Sequence, residues 1–278
     1  MRRSLFYSLI LMMIFISGQL QAALSWTTHI PESSKVKKAE EKPAEHNHNE
    51  RKKGKLFFLQ DGIGAEAEIW LPTLERQRLE ISDTGVIKVM ATGFNNYHLL
   101  YARRQLEGRD EMALRYQYMR GKPSGESPGL LVGNEKGALD ITPSPLTREH
   151  RRYQSNDTAV FTLTLNKEPL TLQPVILITS NGTEINLQTD NKGQLTVTLP
   201  EDFSDIKSGR RKNRPAEFTL SSSIFKNDIK YQTTLNADYH VNPSHWQSRT
   251  AGGVTIVIGF IGGLLVLRQV RSRETEHA

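Results

Sequence analysis

Not one of the 278 residues is a cysteine. Disulfides, thiolate nucleophiles and thiolate metal ligands are therefore excluded, and stability has to come from packed cores. Nucleophile-elbow, HExxH and P-loop patterns are missing as well. Serine and aspartate are plentiful but fall in turn-forming stretches, where their side chains serve local hydrogen bonding. With no acid/base or nucleophile cluster, no enzyme is expected. The net charge of +6 is modest and is made partly by arginines at the two ends, so nucleic acid is not an expected partner. Helical periodicity is absent except at those same two ends.

Both ends read as membrane signals. Arg2 and Arg3 precede an apolar stretch from Leu5 to Ile16, and "SGQLQAA" comes next. This is the order of a secretory signal peptide, assigned to 1–23, with cleavage after Ala22 or Ala23. An uncleaved anchor is the alternative. Near the other end, Ala251 to Leu267 carries no charge over 17 residues. As a helix it is ~25 Å long, close to the hydrocarbon thickness of a bilayer. Its five glycines would cost a water-soluble helix ~1 kcal/mol each. In lipid they are tolerated and allow close helix approach, which makes Gly259 and Gly263 a candidate GxxxG packing pair. Trp246 stands where an interfacial indole belongs, and Arg268, Arg271 and Arg273 supply positive charge beyond the run. The expectation is a transmembrane helix at 251–270 with a cytoplasmic tail at 271–278. The bulk of the chain is then periplasmic, held to a bacterial inner membrane by a single C-terminal pass.

Between the anchors, residues 24–55 are largely charged or small and are expected to form a disordered linker. Within it, "EHNHNE" sets His46 and His48 two apart, flanked by Glu45 and Glu50. Such a cluster suits weak capture of Ni²⁺ or Co²⁺; the plainer reading is a polar linker that contains histidines. The other histidines are scattered. His98 opens a strand, and His240 and His245 flank "VNPS", where a loop brings them near one another or leaves them as ordinary polar residues.

From Leu56 onward, short alternating runs dominate. "AEAEIWL" puts Ala65, Ala67, Ile69 and Leu71 on one face; "AVFTLTL" does so with Phe161, Leu163 and Leu165. "QLTVTL" offers Leu195, Val197 and Leu199, and "IKYQTTLNADYH" runs from Ile229 to Tyr239 on one face. A period of two indicates antiparallel strands with one wet face. In "SSSIFKNDIKYQ", Asn227-Asp228 marks a hairpin turn. About 185 residues of this kind fit two sandwiches of ~100 residues each. Pro143 and Pro145 place the break, giving domains at 56–143 and 144–242 and a juxtamembrane segment at 243–250. Two loops stand out as binding candidates. "RGKPSGESPGLLVGNEKG" is long, polar and glycine-rich. "SGRRKNRPAEF" carries Arg210, Arg211, Lys212 and Arg214, suited to lipid headgroups, to an acidic partner, or to plain solvation.

"NGTEINLQTDNKGQLTVTLPEDF" resembles a turn-and-strand pattern of transthyretin- and Ig-like extracytoplasmic domains, with a turn at Asp190–Gly193. Together with "NNYHLLYA", "YMRGKPSGESP", "PLTREHRRYQ" and "DYHVNPSHWQS", it makes roughly residues 84–250 similar to a family of uncharacterised bacterial envelope proteins. That family is loosely grouped with periplasmic components of nickel/cobalt uptake systems. The resemblance implies an all-β fold of two tandem Ig-like antiparallel sandwiches, with a signal helix before them and one transmembrane helix after. It implies a non-enzymatic, membrane-anchored accessory protein for transition-metal uptake, partnered by an integral-membrane permease. A structural scaffold or assembly factor of an inner-membrane complex is the other expectation.

If His46 and His48 capture metal, calorimetric titration should show weak Ni²⁺ binding. It should fade as pH falls through ~6.5, where protons compete for the imidazoles. A His46→Ala/His48→Ala variant should lose that heat; equal heats from both proteins would exclude the pair.

Overall fold

The computed structural model describes residues 23–31, 54–148, 151–247 and 260–261. All but the last residue of the 1–23 signal peptide, the histidine pair and the GxxxG pair lie outside these residues, as does nearly all of the 251–270 span. Among the described residues no helix is long and apolar enough to cross a membrane.

Strands dominate, as the alternation anticipates. The largest sheet holds ten strands. Its path starts at β14 (Glu184–Gln188), β13 (Pro174–Thr179), β16 (Ala216–Lys226) and β17 (Ile229–His240). It continues through β7 (Arg109–Met119), β6 (Phe94–Leu106), β3 (Glu66–Trp70) and β4 (Arg76–Leu79). Two short strands pair off this path: β8 (Lys122–Pro123) beside β6, and β10 (Tyr153–Gln154) beside β17. A three-stranded sheet is made by β1 (Ser25–Thr27), β2 (Lys55–Gln60) and β5 (Val86–Val89). A four-stranded sheet is made by β9 (Leu139–Pro143), β11 (Thr158–Leu165), β12 (Glu168–Pro169) and β15 (Gln194–Thr198).

The expected break at Pro143 is not in the sheet. Strands from both proposed domains belong to one layer, joined where β17 runs parallel to β7 from Lys230↔Arg109 to Leu235↔Leu114. Pro143 is the last residue of β9, opposite Phe161, and a proline is tolerated at a strand end. The reason for the single layer lies in β6 and β7, which are buried on both faces. Leu100, Ala102 and Ala113 enter a core with Phe57, Leu59 and Ile87 of the small sheet. Their sequence neighbours Leu99, Tyr101, Met112 and Leu114 point the other way, into a core with Phe161, Leu163 and Leu195. One large sheet thus serves as a shared middle layer between two outer sheets, instead of two tandem sandwiches.

The boundary at residue 55 also moves. Residues 24–27, assigned by composition to the linker, form β1 and the end of a core. Trp26 is 0% exposed, its indole Nε1 donates to the Ala113 carbonyl at 3.2 Å, and its ring meets Phe57 edge-on. Thr234 Oγ1 donates to the Leu24 carbonyl at 2.7 Å. β1 pairs antiparallel with β2, so residues 32–53 connect two neighbouring strands rather than tether a domain.

The two turns read from the sequence are present. Asn227 and Asp228 take φ of 52° and 59° between β16 and β17, as a two-residue hairpin requires. Gly193 has φ of 72°, and Asp190 Oδ1 accepts from the Lys192 and Gln194 amides at 2.8 Å.

Because the middle sheet is continuous, denaturant unfolding followed by tryptophan fluorescence and by far-UV circular dichroism should give one coincident transition. Trp26→Ala should lower its free energy by roughly 3–5 kcal/mol, as for other large aromatic truncations in a core. Two separable transitions would overturn the shared layer.

Candidate functional site

The parallel pairing that unites the sheet also opens it. Beyond Leu114 and Leu235 the β7–β17 ladder stops. β7 stays with β6 as far as Met119, and β17 stays with β16 as far as Tyr239. The two strands therefore part, and β10 pairs with β17 only at Tyr239 and His240. The opening is a cavity of about 400 Å³ lined from both strands, from β10 and from the 143–147 segment.

Alternation gives this opening two unlike walls. On one face stands Arg115, 1% exposed. Its guanidinium donates to Glu217 Oε1 at 2.9 Å, to Asp238 Oδ1 at 2.6 Å and to the Asn236 side-chain oxygen. Glu217 accepts in addition from the Thr28 amide and hydroxyl, each at 2.8 Å, and from the Thr27 hydroxyl. Arg115 thus crosses the gap, and its charge is balanced by two carboxylates. Lys55 stands nearby and donates to Gln117 at 2.9 Å. Burial lowers the Lys55 pKa, Arg115 adds to that, and Asp238 and Glu217 oppose it.

On the other face, aromatic residues line the chamber: Tyr97, Tyr116, Tyr118, Tyr153 and Phe161, with Leu146. Tyr97 and Tyr118 meet edge to face at 5.3 Å, and the Tyr97 hydroxyl is 2.7 Å from that of Thr147. The Tyr116 hydroxyl is buried and has no hydrogen-bond partner among the described residues; Arg115 Nε is in the same position. Burial, followed by the Asp140 carboxylate, holds the Tyr116 pKa well above the usual phenol value. Burial raises Tyr153 likewise.

The rim is cationic. Arg120, Arg151 and Arg152 border the cavity, and Arg210 borders an adjoining one of about 290 Å³ that shares Arg152 and His240. Among the described residues none of the four forms a salt bridge. Partial burial and the proximity of Arg210 and Arg120 lower the Arg152 pKa against the pull of Asp238. Arg152 Nη1 donates to His240 Nε2 at 3.3 Å, leaving that nitrogen unprotonated. Burial first, then Arg152 and Arg210, push His240 down to about 4, with Asp238 opposing.

A third cavity of about 370 Å³ continues the groove on the other side. It shares Tyr97, Tyr118, Leu146 and Thr147 with the first and is bordered by the Pro123–Pro128 turn. The two loops singled out in the sequence therefore lie at opposite ends of one groove: the glycine-rich loop at one end, Arg210 at the other. Of the histidines, His240 lines the opening. His98 is buried and structural, with Nε2 2.6 Å from the Thr92 hydroxyl and Nδ1 3.1 Å from the Asn96 carbonyl. His245 pairs with Glu201 at 3.3 Å. Among the described residues no three His, Asp or Glu side chains gather as a metal site. Arg115, Tyr116, Asn236 and Asp238 were not legible as site residues. The one available signal was Arg115 itself, a charge within the otherwise apolar strand "MALRYQYM".

No protein-family model matches this chain, and no curated protein matches it. The chemistry of the site is that of four arginines without a salt bridge among the described residues, set beside an aromatic chamber.

His240 gives this site a pH signature. Its folded pKa of about 4 lies below the ordinary ~6.5, so as pH falls the unfolded chain binds the proton first. Its contribution to stability is complete above ~6.5 and is lost as pH falls from there through 4. Buried His98, also lowered by burial, acts in the same direction. Denaturation midpoints measured at steps between pH 7 and 4 should fall less steeply in His240→Gln than in the parent. Parallel slopes would show that His240 is not held neutral.

Proposed function

We propose that this chain is a non-enzymatic binding or accessory protein whose ligand occupies the opening between β7 and β17, with an anionic group on the arginine rim. The supporting observation is the cluster of Arg120, Arg151, Arg152 and Arg210, none of which forms a salt bridge among the described residues, beside an aromatic cavity. Guanidiniums near one another repel, as Arg210 and Arg120 do Arg152, and an anion relieves that repulsion while accepting charge-assisted hydrogen bonds. A cavity of about 400 Å³ is within the usual range for a bound small molecule or side chain.

The membrane-anchored, periplasmic setting belongs to the same proposal. Gln247 borders the Arg210 cavity, and the apolar run starts at Ala251. Four residues span at most ~14 Å, so an anchor at 251–270 holds the groove beside the bilayer. Such a position suits an accessory to an inner-membrane complex.

Two measurements test this. An Arg152→Ala/Arg210→Ala variant should lose retention on an anionic matrix at low salt while keeping its circular dichroism; unchanged retention would remove the rim from the site. Alkaline phosphatase fused after Asn242 should be active and after Ala278 inactive. The reverse pattern would overturn the orientation.

A further inference from the structure

We infer that the groove takes an extended acidic peptide segment of a partner protein, which lies along the split between β7 and β17. This deepens the anion-binding reading and rests on it.

The charged rim and an unpaired strand edge carry the argument. Arg120, Arg151 and Arg152 border the cavity and Arg210 an adjoining one, and among the described residues none of them forms a salt bridge. An occupant that brings carboxylates to this rim gains charge-assisted hydrogen bonds. Past the rim the lining is aromatic, with Asn236, Ala237 and Asp238 of β17 beside it. An acyl chain has no acceptor to offer a strand backbone, whereas a peptide carries a carbonyl and an amide at every residue.

The backbone points the same way. β17 has no strand neighbour on its β7 side at Asn236–Asp238, between the end of its ladder with β7 and the start of its ladder with β10. An extended chain laid there meets main-chain donors and acceptors already spaced for a strand. The compartments differ in succession, with Arg152 and Arg210 in one, the aromatic rings in the next, and Asn95, Ser124, Glu126 and Arg148 in the third. A lipid tail needs one continuous apolar tunnel. A peptide supplies a carboxylate, an apolar side chain and amides in succession along its length.

The experiment selects displayed random octapeptides against the full chain in detergent, with counter-selection on Arg152→Ala/Arg210→Ala. Parallel thermal-shift titrations use inorganic phosphate and phosphatidylglycerol vesicles. The expected result is enrichment of sequences that combine acidic and apolar residues. A synthetic peptide of the enriched sequence should bind the double variant about a hundredfold more weakly, because each of the two lost charge-assisted hydrogen bonds is worth on the order of a factor of ten. Alternate N-methylation of the peptide should also weaken it. If phosphate or vesicles bind in an arginine-dependent way and no peptide is enriched, the peptide inference fails and the anion-binding reading stands. If none of the three probes binds, both fail.

Discussion

A single buried guanidinium ties this structure together. Arg115 reaches from β7 across the point where the middle sheet divides and bonds Glu217 on β16 and Asp238 on β17. Through Glu217 the same network fastens Thr27 and Thr28 at the end of the first strand. An ion pair this deep contributes little net stability over an apolar replacement, but removing one partner strands a charge and costs about 3–5 kcal/mol. Arg115 is thus retained at a position where only a long, charged, multiply bonded side chain bridges two diverging strands. It closes one face of the opening and leaves the other to the tyrosines.

Closing that face also shapes recognition. Asp238 and Glu217 are engaged by Arg115, and Asp238 also offsets part of the charge of Arg152. The arginines from the Arg151-Arg152 pair, from the end of β7 and from the 3₁₀ turn Arg210–Lys212 then face solvent together. Three separate stretches of chain deliver like charges to one place. The wall opposite supplies ring faces and hydroxyls. In the proposed binding role, charge selects and the rings hold an apolar group by area and shape.

Much of the β architecture was legible in the sequence. The alternation in 161–165 and 195–199 named buried faces that the structure buries, and Asn227-Asp228 and Asp190–Gly193 named turns that it forms. The domain organisation was not legible. A period of two indicates one wet face per strand, yet β6 and β7 are buried on both sides because a second outer sheet covers them. In "FNNYHLLYARRQL" and "RDEMALRYQYM" the signature of double burial is a run of apolar residues with buried arginines, and composition does not separate that from an amphipathic strand. The prolines at 143 and 145 misled for a related reason: they end an outer strand rather than a domain. Residues 24–27 were absorbed into a charged segment because three residues of strand are too few to register against the long polar run beside them.

The sequence by itself determined the strand content, the turns, the absence of any thiol chemistry and the positions of the charged loops, because those depend on local sterics and residue type. Only the tertiary structure decided that β7 and β17 lie side by side, parallel, and then part. That pairing joins residues more than a hundred positions apart, and no local preference encodes it. The groove exists through that divergence, and its arginines and tyrosines are ordinary surface and strand residues until the fold brings them together.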